Sequence, residues 1–484
     1  MAYKHNIVTN RDTAMPTNAD VSGFGIQVVV GTAPVNLLDD PSSAVNTPIL
    51  VSSRAEAKAK IGDSTDFASY TLMQSVYASF RKFAVAPLVF INVLDPAKHK
   101  ATVASSTVAL TNGSATIEVQ GILKASVVVS AVGSSTAAIV DVDYVLDFDA
   151  NGNLVVAVTP DGALSGATQI SVGYNKLDPS AVTDSDIIGG TDAQGNRKGI
   201  DVIDIVYNKL QVIPSMILAP DFSASPTVAA ALEAKAELIG SLFNSHAIVD
   251  IETTTTKTWT QVEAAKQALG VSTRWATAVW PKANMDGNII AGSAVIGALL
   301  QSRCIANNDV PCDSQDNKDA KINAAVLADG TELQMILEDA NDYVVAKGVV
   351  TFLYYGGWKA WGSNCCAYPA STEPNNRFTK CVLMNNYLEN RFKAEYLTHI
   401  GNNGNRKEME SIVTNYNMDL NALVPDKLAG AEVLFLREDN PDSEIIEGHW
   451  KFRTRYADYL PTEYIENDFT WDSSILTEAL FGGE

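Results

Sequence analysis

Several stretches of this chain hold residue types that chemistry uses, and each can be set against the spacing that chemistry requires. DFDANGN (147–153) places Asp147, Asp149, Asn151 and Gly152 like the front of a calcium loop, where oxygen ligands surround a hard cation and a glycine makes the turn. The twelfth position, where a bidentate glutamate closes such a loop, is Val158, so the run reads as a β-turn between two strands. VVVGTAPV (28–35) follows the outline of a phosphate loop but lacks both G-x-G-x-x-G and G-K-[ST], and no nucleotide site is expected. His246 lies close to Asp250, Ser241 and Ser245, the residue types of a hydrolytic triad. A triad needs its nucleophile on a strained turn within reach of the base; His246 instead enters an apolar strand and reads as a core histidine. The five histidines (5, 99, 246, 399, 449) are scattered, and the cysteines (304, 312, 365, 366, 381) contain no C-x-x-C. Vicinal Cys365 and Cys366 have the wrong spacing for two ligands of one tetrahedral site. The expectation is therefore no metal, no cofactor and no catalytic residue. Glu438 and Asp439, beside Asn440 and Pro441, read as a solvated turn. YYGGWKAWG (354–362), the densest run of Trp and Gly, either lines a ligand pocket or packs between domains, and packing is the reading adopted. An α/β ligand-binding protein or enzyme with a site near 354–362 is the competing reading.

The elements that hold these residues alternate. Ile26 to Val30 is a buried strand leaving through a Gly turn, SSRAEAKAKIG is a short helix capped by Ser52 or Ser53 and closed by Gly62, Tyr70 to Phe83 is a second helix, and VAPLVFINVLD a second strand. After Pro96 the composition turns to Ser, Thr, Val, Ala and Gly, with short β-rich runs as far as Asp186, the pattern of a small sandwich. From IIGG (187–190) the alternation resumes: helix Gly199 to Leu210, strand Ser215 to Ala219, helix Pro226 to Phe243, strand Ala247 to Ile251, helix Trp259 to Leu269, strand Ala276 to Val279 and helix Thr331 to Lys347. Such alternation predicts a mainly parallel sheet covered by helices. Beyond it, helices Val382 to Thr398 and Lys407 to Leu423 precede AGAEVLFLRE.

The fold class expected is α/β plus β: an α/β core with an inserted all-β, sandwich-like domain, an α+β C-terminal domain and extended arms. The boundaries are 1–22 for an N-terminal arm, 23–95 with 187–374 for the discontinuous core, 96–186 for the peripheral insertion, 375–460 for the C-terminal assembly domain and 461–484 for a C-terminal arm. A formal charge of −21 over 484 residues repels nucleic acid and anionic membrane. MAYKHNIVTNRD has no apolar core of signal-peptide length and no run reaches membrane-span length, so assembly in the cytosol with reduced thiols is expected, against a secreted adhesin.

Both ends carry apolar side chains with little chain to fold against. GHWKFRTRY (448–456) alternates Trp450, Phe452, Thr454 and Tyr456 with Lys451, Arg453 and Arg455, a half-buried strand that belongs to the subunit's own acceptor sheet. After Pro461, Tyr464, Ile465, Phe469 and Trp471 follow among acids, and at the other end Tyr3, Ile7 and Val8 punctuate a polar arm. These seven residues are the expected inter-subunit strand contacts, because apolar ends need a surface.

The ordered set VVVGTAPVN (28–36), IIGG (187–190), PSMILAPDFS (214–223), AIVDI (247–251), GVVTFLYYGGWKAWG (348–362) with AYP (367–369), and LAGAEVLFLREDNP (428–441) resembles the sheath proteins of contractile-tailed bacteriophages and phage-tail-like bacteriocins. It departs from the family after W-G, where Ser363, Asn364, Cys365 and Cys366 stand, and where the next helix opens VLMNNY rather than with arginines. The resemblance implies a non-enzymatic structural subunit of a virion tail or phage-tail-like particle, built in the host bacterial cytoplasm. It implies hexameric rings stacked helically around an inner tube protein, with baseplate and tail terminator proteins as further partners, no nucleic acid and no membrane contact. Arms of neighbouring subunits are then expected to add strands to the C-terminal sheet. Arg391, Lys393, Arg406 and Lys407, cationic in an acidic chain, are the expected tube-facing residues.

Overall fold

A computed structural model describes residues 24–482. Its centre is a nine-stranded mixed sheet built from β1 (Gln27–Gly31), β2 (Pro48–Val51), β3 (Leu88–Asn92), β4 (Met216–Leu218), β5 (His246–Asp250), β6 (Ala276–Val279), β7 (Lys318–Asp319), β8 (Val349–Tyr354) and β9 (Trp358–Trp361). The strand order is 7-9-8-6-5-4-1-3-2. The six inner strands are parallel, and antiparallel β2 at one edge and β9 and β7 at the other finish the sheet. Inner strands such as QVVVG and LVFIN are buried at every position, as a sheet covered on both faces requires.

Local signals start and stop the helices. In α1 (Arg54–Ile61) the Ser53 hydroxyl accepts from the Glu56 N–H at 3.2 Å while the Glu56 carboxylate accepts from the Ser52 N–H at 2.7 Å, and Gly62 at φ 86° ends the helix. On one face lie the helical stretch 72–83 and α4 (Gly292–Ala306); on the other lie 199–210, α2 (Pro226–Glu237) and α3 (Val262–Leu269). Helix α4 escapes the sequence reading because GSAVIGALLQ is apolar all round, and every residue from Gly292 to Gln301 is buried. A Cβ at Gly297 would lie 2.5 Å from Gln27 Oε1 and 2.8 Å from Leu218 Cδ2, so glycine is what lets the helix lie this close to the sheet.

Other expectations need correction. The helix expected over Thr331 to Lys347 begins only at Leu337, because Glu332–Leu333 pairs instead with Ala324–Val326 across a turn in which Asp329 accepts from the Thr331 N–H at 3.0 Å. Helix α2 stops at Glu237, not Phe243: Gly240 takes φ 56° and its N–H is held by Asp204 at 2.9 Å. YYGGWKAWG is the β8–β9 hairpin, with Tyr354 and Tyr355 exposed on a projecting turn, and not a buried junction.

Between β3 and the returning helices, two three-stranded antiparallel sheets form. Lys100–Ala109, Gln169–Leu177 and Val128–Ala131 make one; Ser114–Ile117, Leu154–Val158 and Tyr144–Phe148 make the other. Val129, Ile170 and Val172 of the first meet Leu146, Leu154 and Val156 of the second in a hydrophobic cluster separate from the main core. DFDANGN is the turn of the Tyr144–Phe148/Leu154–Val158 hairpin, where Asp149 Oδ1 accepts from the N–H groups of Asn151 and Asn153, both at 2.8 Å.

The third cluster belongs to α5 (Thr379–Tyr396), α6 (Arg406–Asn421) and the antiparallel pair β10 (Leu428–Leu434) and β11 (Arg453–Asp458). The strand expected over 448–456 starts later, at Arg453, and runs to Asp458. The last element is α7 (Ser473–Phe481), a helix inside the segment expected to be extended, started by Asp472 accepting from the Ser474 N–H at 2.8 Å.

Candidate assembly site

Aromatic packing fixes the C-terminal region. Phe392 of α5 meets Tyr416 of α6 at 5.0 Å and Phe452 at 6.0 Å, and Phe435, just past β10, meets Phe452 at 5.1 Å and Trp450 at 6.2 Å. Trp450, Phe452 and Tyr456 are thus half-buried against this core, and the Tyr456 hydroxyl donates to Asn385 at 2.7 Å. Asp439 departs from the solvated turn expected, pairing with Arg453 with its side chain only 6% exposed, whereas Glu438, which also pairs with Arg453, is 70% exposed. Arg455 pairs with Glu432, its neighbour across the two strands.

The sheet has two outer edges, and they differ. Asn417 of α6 donates to the Val433 carbonyl at 3.0 Å and accepts from the Val433 N–H at 2.9 Å, so the outer edge of β10 is satisfied near its C-terminal end. Val433 faces Thr454, and residues directly opposite in an antiparallel pair share the direction of their backbone groups. The backbone groups of Thr454 and Tyr456 therefore point away from β10. Among the described residues no third strand pairs with β11, whose edge is the open one.

Two anchors, one at Lys380 and one at Glu463, carry the chain out of β11. Lys380, at the start of α5, puts Nζ 3.0 Å from Asp458 Oδ2 and also donates to the Tyr459 carbonyl; the two charged side chains are 2% and 4% exposed. Glu463 pairs with Arg377 and accepts from the Ser363 hydroxyl at 3.1 Å, close to the Asn364 amide as well. Ser363 and Asn364 thus receive the tail. Beyond Glu463 the chain leaves the surface: Tyr464, Ile465, Phe469 and Trp471 are 77–92% exposed, as are, at 53–78%, Ile475, Leu476, Leu480 and Phe481 of α7. Tyr3, Ile7 and Val8 lie outside the described residues.

The four cations are not equivalent. Arg391 pairs with Asp419 and donates to Tyr387, and Lys393 pairs with Glu389 and donates to Asn244, so both are partly buried within the chain. Arg406, 91% exposed and paired with its helix neighbour Glu410, and exposed Lys407 face outward.

The triad residue types are not brought together. His246 is fully buried; its Nε2 lies 2.8 Å from the Thr277 hydroxyl, which lies 2.8 Å from that of Thr379 on α5, and burial pushes its pKa down to about 3. Asp250 accepts from the hydroxyls of Ser223 at 2.9 Å and Ser293 at 2.6 Å, and desolvation raises its pKa. Each side chain is a structural tie between elements. The thiols are free; burial raises those of Cys365 to about 11 and of Cys366 and Cys381 to about 12, and also raises those of Cys304 and Cys312. Glu444, Glu447 and His449 bring donor atoms within 4.8 Å of one another, all exposed, with His449 Nδ1 2.9 Å from Glu444, as in a surface ion pair.

No family model matches the chain. The tail sheath protein of Burkholderia phage BcepMu is 25% identical to it over 496 residues, covering 99% of this chain and 98% of that protein. The chain is a homologue of a phage tail sheath protein. Its fold recurs in a chain of the 6-fold symmetrised cryo-EM structure of the anti-feeding prophage (AFP) baseplate, at TM-score 0.56 and 12% identity over 98% of this chain and 99% of that one. It recurs too in the PVC sheath complex of an extracellular contractile injection system in its contracted state, at TM-score 0.54 and 13% identity over 97% and 100%.

Sequence reasoning missed the residues that hold the tail root. Lys380 had a signal: a cation in the apolar run TKCVLM, in the first turn of a helix where the dipole disfavours it, needs a buried anion. Glu463 had none, since one acid among many in an acidic tail looks solvated.

Proposed function

We propose that the chain is a structural, non-enzymatic subunit of a contractile sheath, polymerising as stacked hexameric rings around an inner tube and contracting to drive the tube into a target cell. The observation that carries this is sequence similarity to a tail sheath protein along essentially the whole of both chains. In this reading 23–95 with 187–374 is the core domain, 96–186 a peripheral β domain on the outer wall, and 375–460 the assembly domain. The arms 1–22 and 461–484 join neighbouring subunits by strand addition.

The C-terminal geometry supports the arm mechanism. The tail root is pinned by Glu463, the residues after it are apolar and uncovered, and β11 keeps an open edge. An arm strand laid along that edge satisfies the outward backbone groups of Thr454 and Tyr456, so main-chain hydrogen bonds supply affinity while alternating side chains set register. Arg406 and Lys407, being exposed, are better placed than Arg391 and Lys393 to meet a tube.

Electron microscopy of the purified full-length protein tests the reading. Tubes of stacked rings are expected, and a chain ending at Glu463 should remain folded, with an unchanged melting temperature, yet form no long tubes. Compact particles from the full-length chain would overturn the sheath reading; normal tubes from the shortened chain would overturn the role given to the C-terminal arm.

A further inference from the structure

Helix α7 leaves its apolar side chains uncovered. Ile475, Leu476, Ala479 and Leu480 fall on one stripe at helical spacing, with Ser474, Thr477 and Glu478 on the other side, and the nearest fixed point of the chain is Glu463. Elsewhere on the same chain two adjoining clefts of about 550 and 880 Å³ share Met409 and Trp450. Their walls are apolar: Phe392, Tyr396 and Ile412 in one, Val413, Phe435 and Ile445 in the other, with Ile400 82% exposed at the rim.

We propose that α7 of one subunit seats in this groove on a second copy of the chain, as a helical lock beyond the arm strand. Two observations select this occupant. The first is position: a strand added antiparallel to β11 runs from the Asp458 end toward Arg453, and delivers the helix after it to Trp450 and Phe452, where the groove opens. The second is length: the residues from Tyr464 to Asp472, fully extended at about 3.3 Å each, span the edge of six-residue β11 and reach past its end. The inference rests on the sheath reading and goes beyond strand addition: it assigns the terminal helix its own site.

The test uses full-length protein and side chains already exposed, so folding is not at stake. Leu480→Cys is combined with Ile400→Cys, and disulfide-linked copies are counted on a non-reducing gel after mild oxidation, with electron microscopy of the same sample. Ser474→Cys with Ile400→Cys places the thiol on the opposite side of the helix. Tubes in which the Leu480→Cys pair links copies at least about tenfold more than the Ser474→Cys pair, with the linkage reduced about tenfold by added Leu476→Asp, support the lock, since one buried leucine accounts for roughly that factor. Tubes with no linkage, or equal linkage from both pairs, overturn the lock and leave the sheath reading standing. Absence of tubes from the unsubstituted chain overturns the sheath reading and the lock with it.

Discussion

Replacing Asp458 with asparagine leaves the Lys380 ammonium buried without its counter-charge. Nζ sits 3.0 Å from Asp458 Oδ2, with side chains 2% and 4% exposed, and among the described residues its other acceptor is the Tyr459 carbonyl. Removing one partner of a buried pair costs about 3–5 kcal/mol, and because the amide keeps an acceptor oxygen, about 3 kcal/mol is expected for Asp458→Asn. The double change Lys380→Met with Asp458→Leu removes both charges; it leaves the Tyr459 carbonyl without this donor, at about 1–2 kcal/mol, so it should be more stable than the single variant. Hydrogen exchange of the β11 amides reads both effects locally, and urea unfolding reads them for the chain as a whole. Since water and ions do not reach the pair, the loss should be the same at about 0.1 M and about 1 M salt. A cost below about 1 kcal/mol for Asp458→Asn, or a double variant worse than the single one, refutes the assignment of the pair as the clamp on the tail root.

The pH dependence of stability should carry the signature of His246: its folded pKa lies near 3, below the ordinary value, so the unfolded chain takes up a proton the folded chain refuses as pH falls from 6.5. Stability then drops by up to about 1.4 kcal/mol per pH unit across that window and is fully present above it; unfolding free energies of wild type and His246→Gln compared from about pH 7 to about pH 4 isolate this slope, because the opposing contribution of buried Asp250 is common to both. Gly297→Ala should destabilise by about 1–3 kcal/mol although alanine is the better helix former, because its Cβ meets Gln27 and Leu218; a raised melting temperature would count against the close packing of α4. Arg406→Glu with Lys407→Glu alters only exposed side chains, so the melting temperature should hold while co-sedimentation of extended sheath with tube declines; unchanged attachment removes these two from the tube-facing surface.

Elements whose periodicity and caps agree were readable from the sequence: β1, α1, β6 and α6 fall within a residue or two of expectation. The elements that were not readable share a physical cause, the dependence of a segment on distant chain. Helix α4 has no polar face to give a period because sheet and helices surround it. Residues 331–333 join a hairpin whose partner strand decides their state. The edge of β10 looks as open as that of β11 until Asn417, on another element, is found bonded to Val433. At the candidate site, the aromatic alternation of 450–456 was legible, whereas the acid that pins the tail and the helix that ends it were hidden in a run whose composition signalled only exposure.

If the tail serves as the proposed arm, its composition makes a single contact weak and a closed lattice firm. Eight large apolar side chains, Tyr464, Ile465, Phe469, Trp471, Ile475, Leu476, Leu480 and Phe481, stand in solvent. Burying them gives about 2 kcal/mol each, and fixing the nine extended residues before α7 costs about 1.5 kcal/mol apiece, so the two nearly cancel. One arm in one neighbour is therefore a weak, reversible contact. In the proposed ring each subunit would both lend an arm and receive one, and the second engagement would be intramolecular, with an effective concentration set by the short tether from Glu463. Firm attachment would then require the lattice to close, as the proposed arm is anchored on its own subunit and left unsatisfied beyond it.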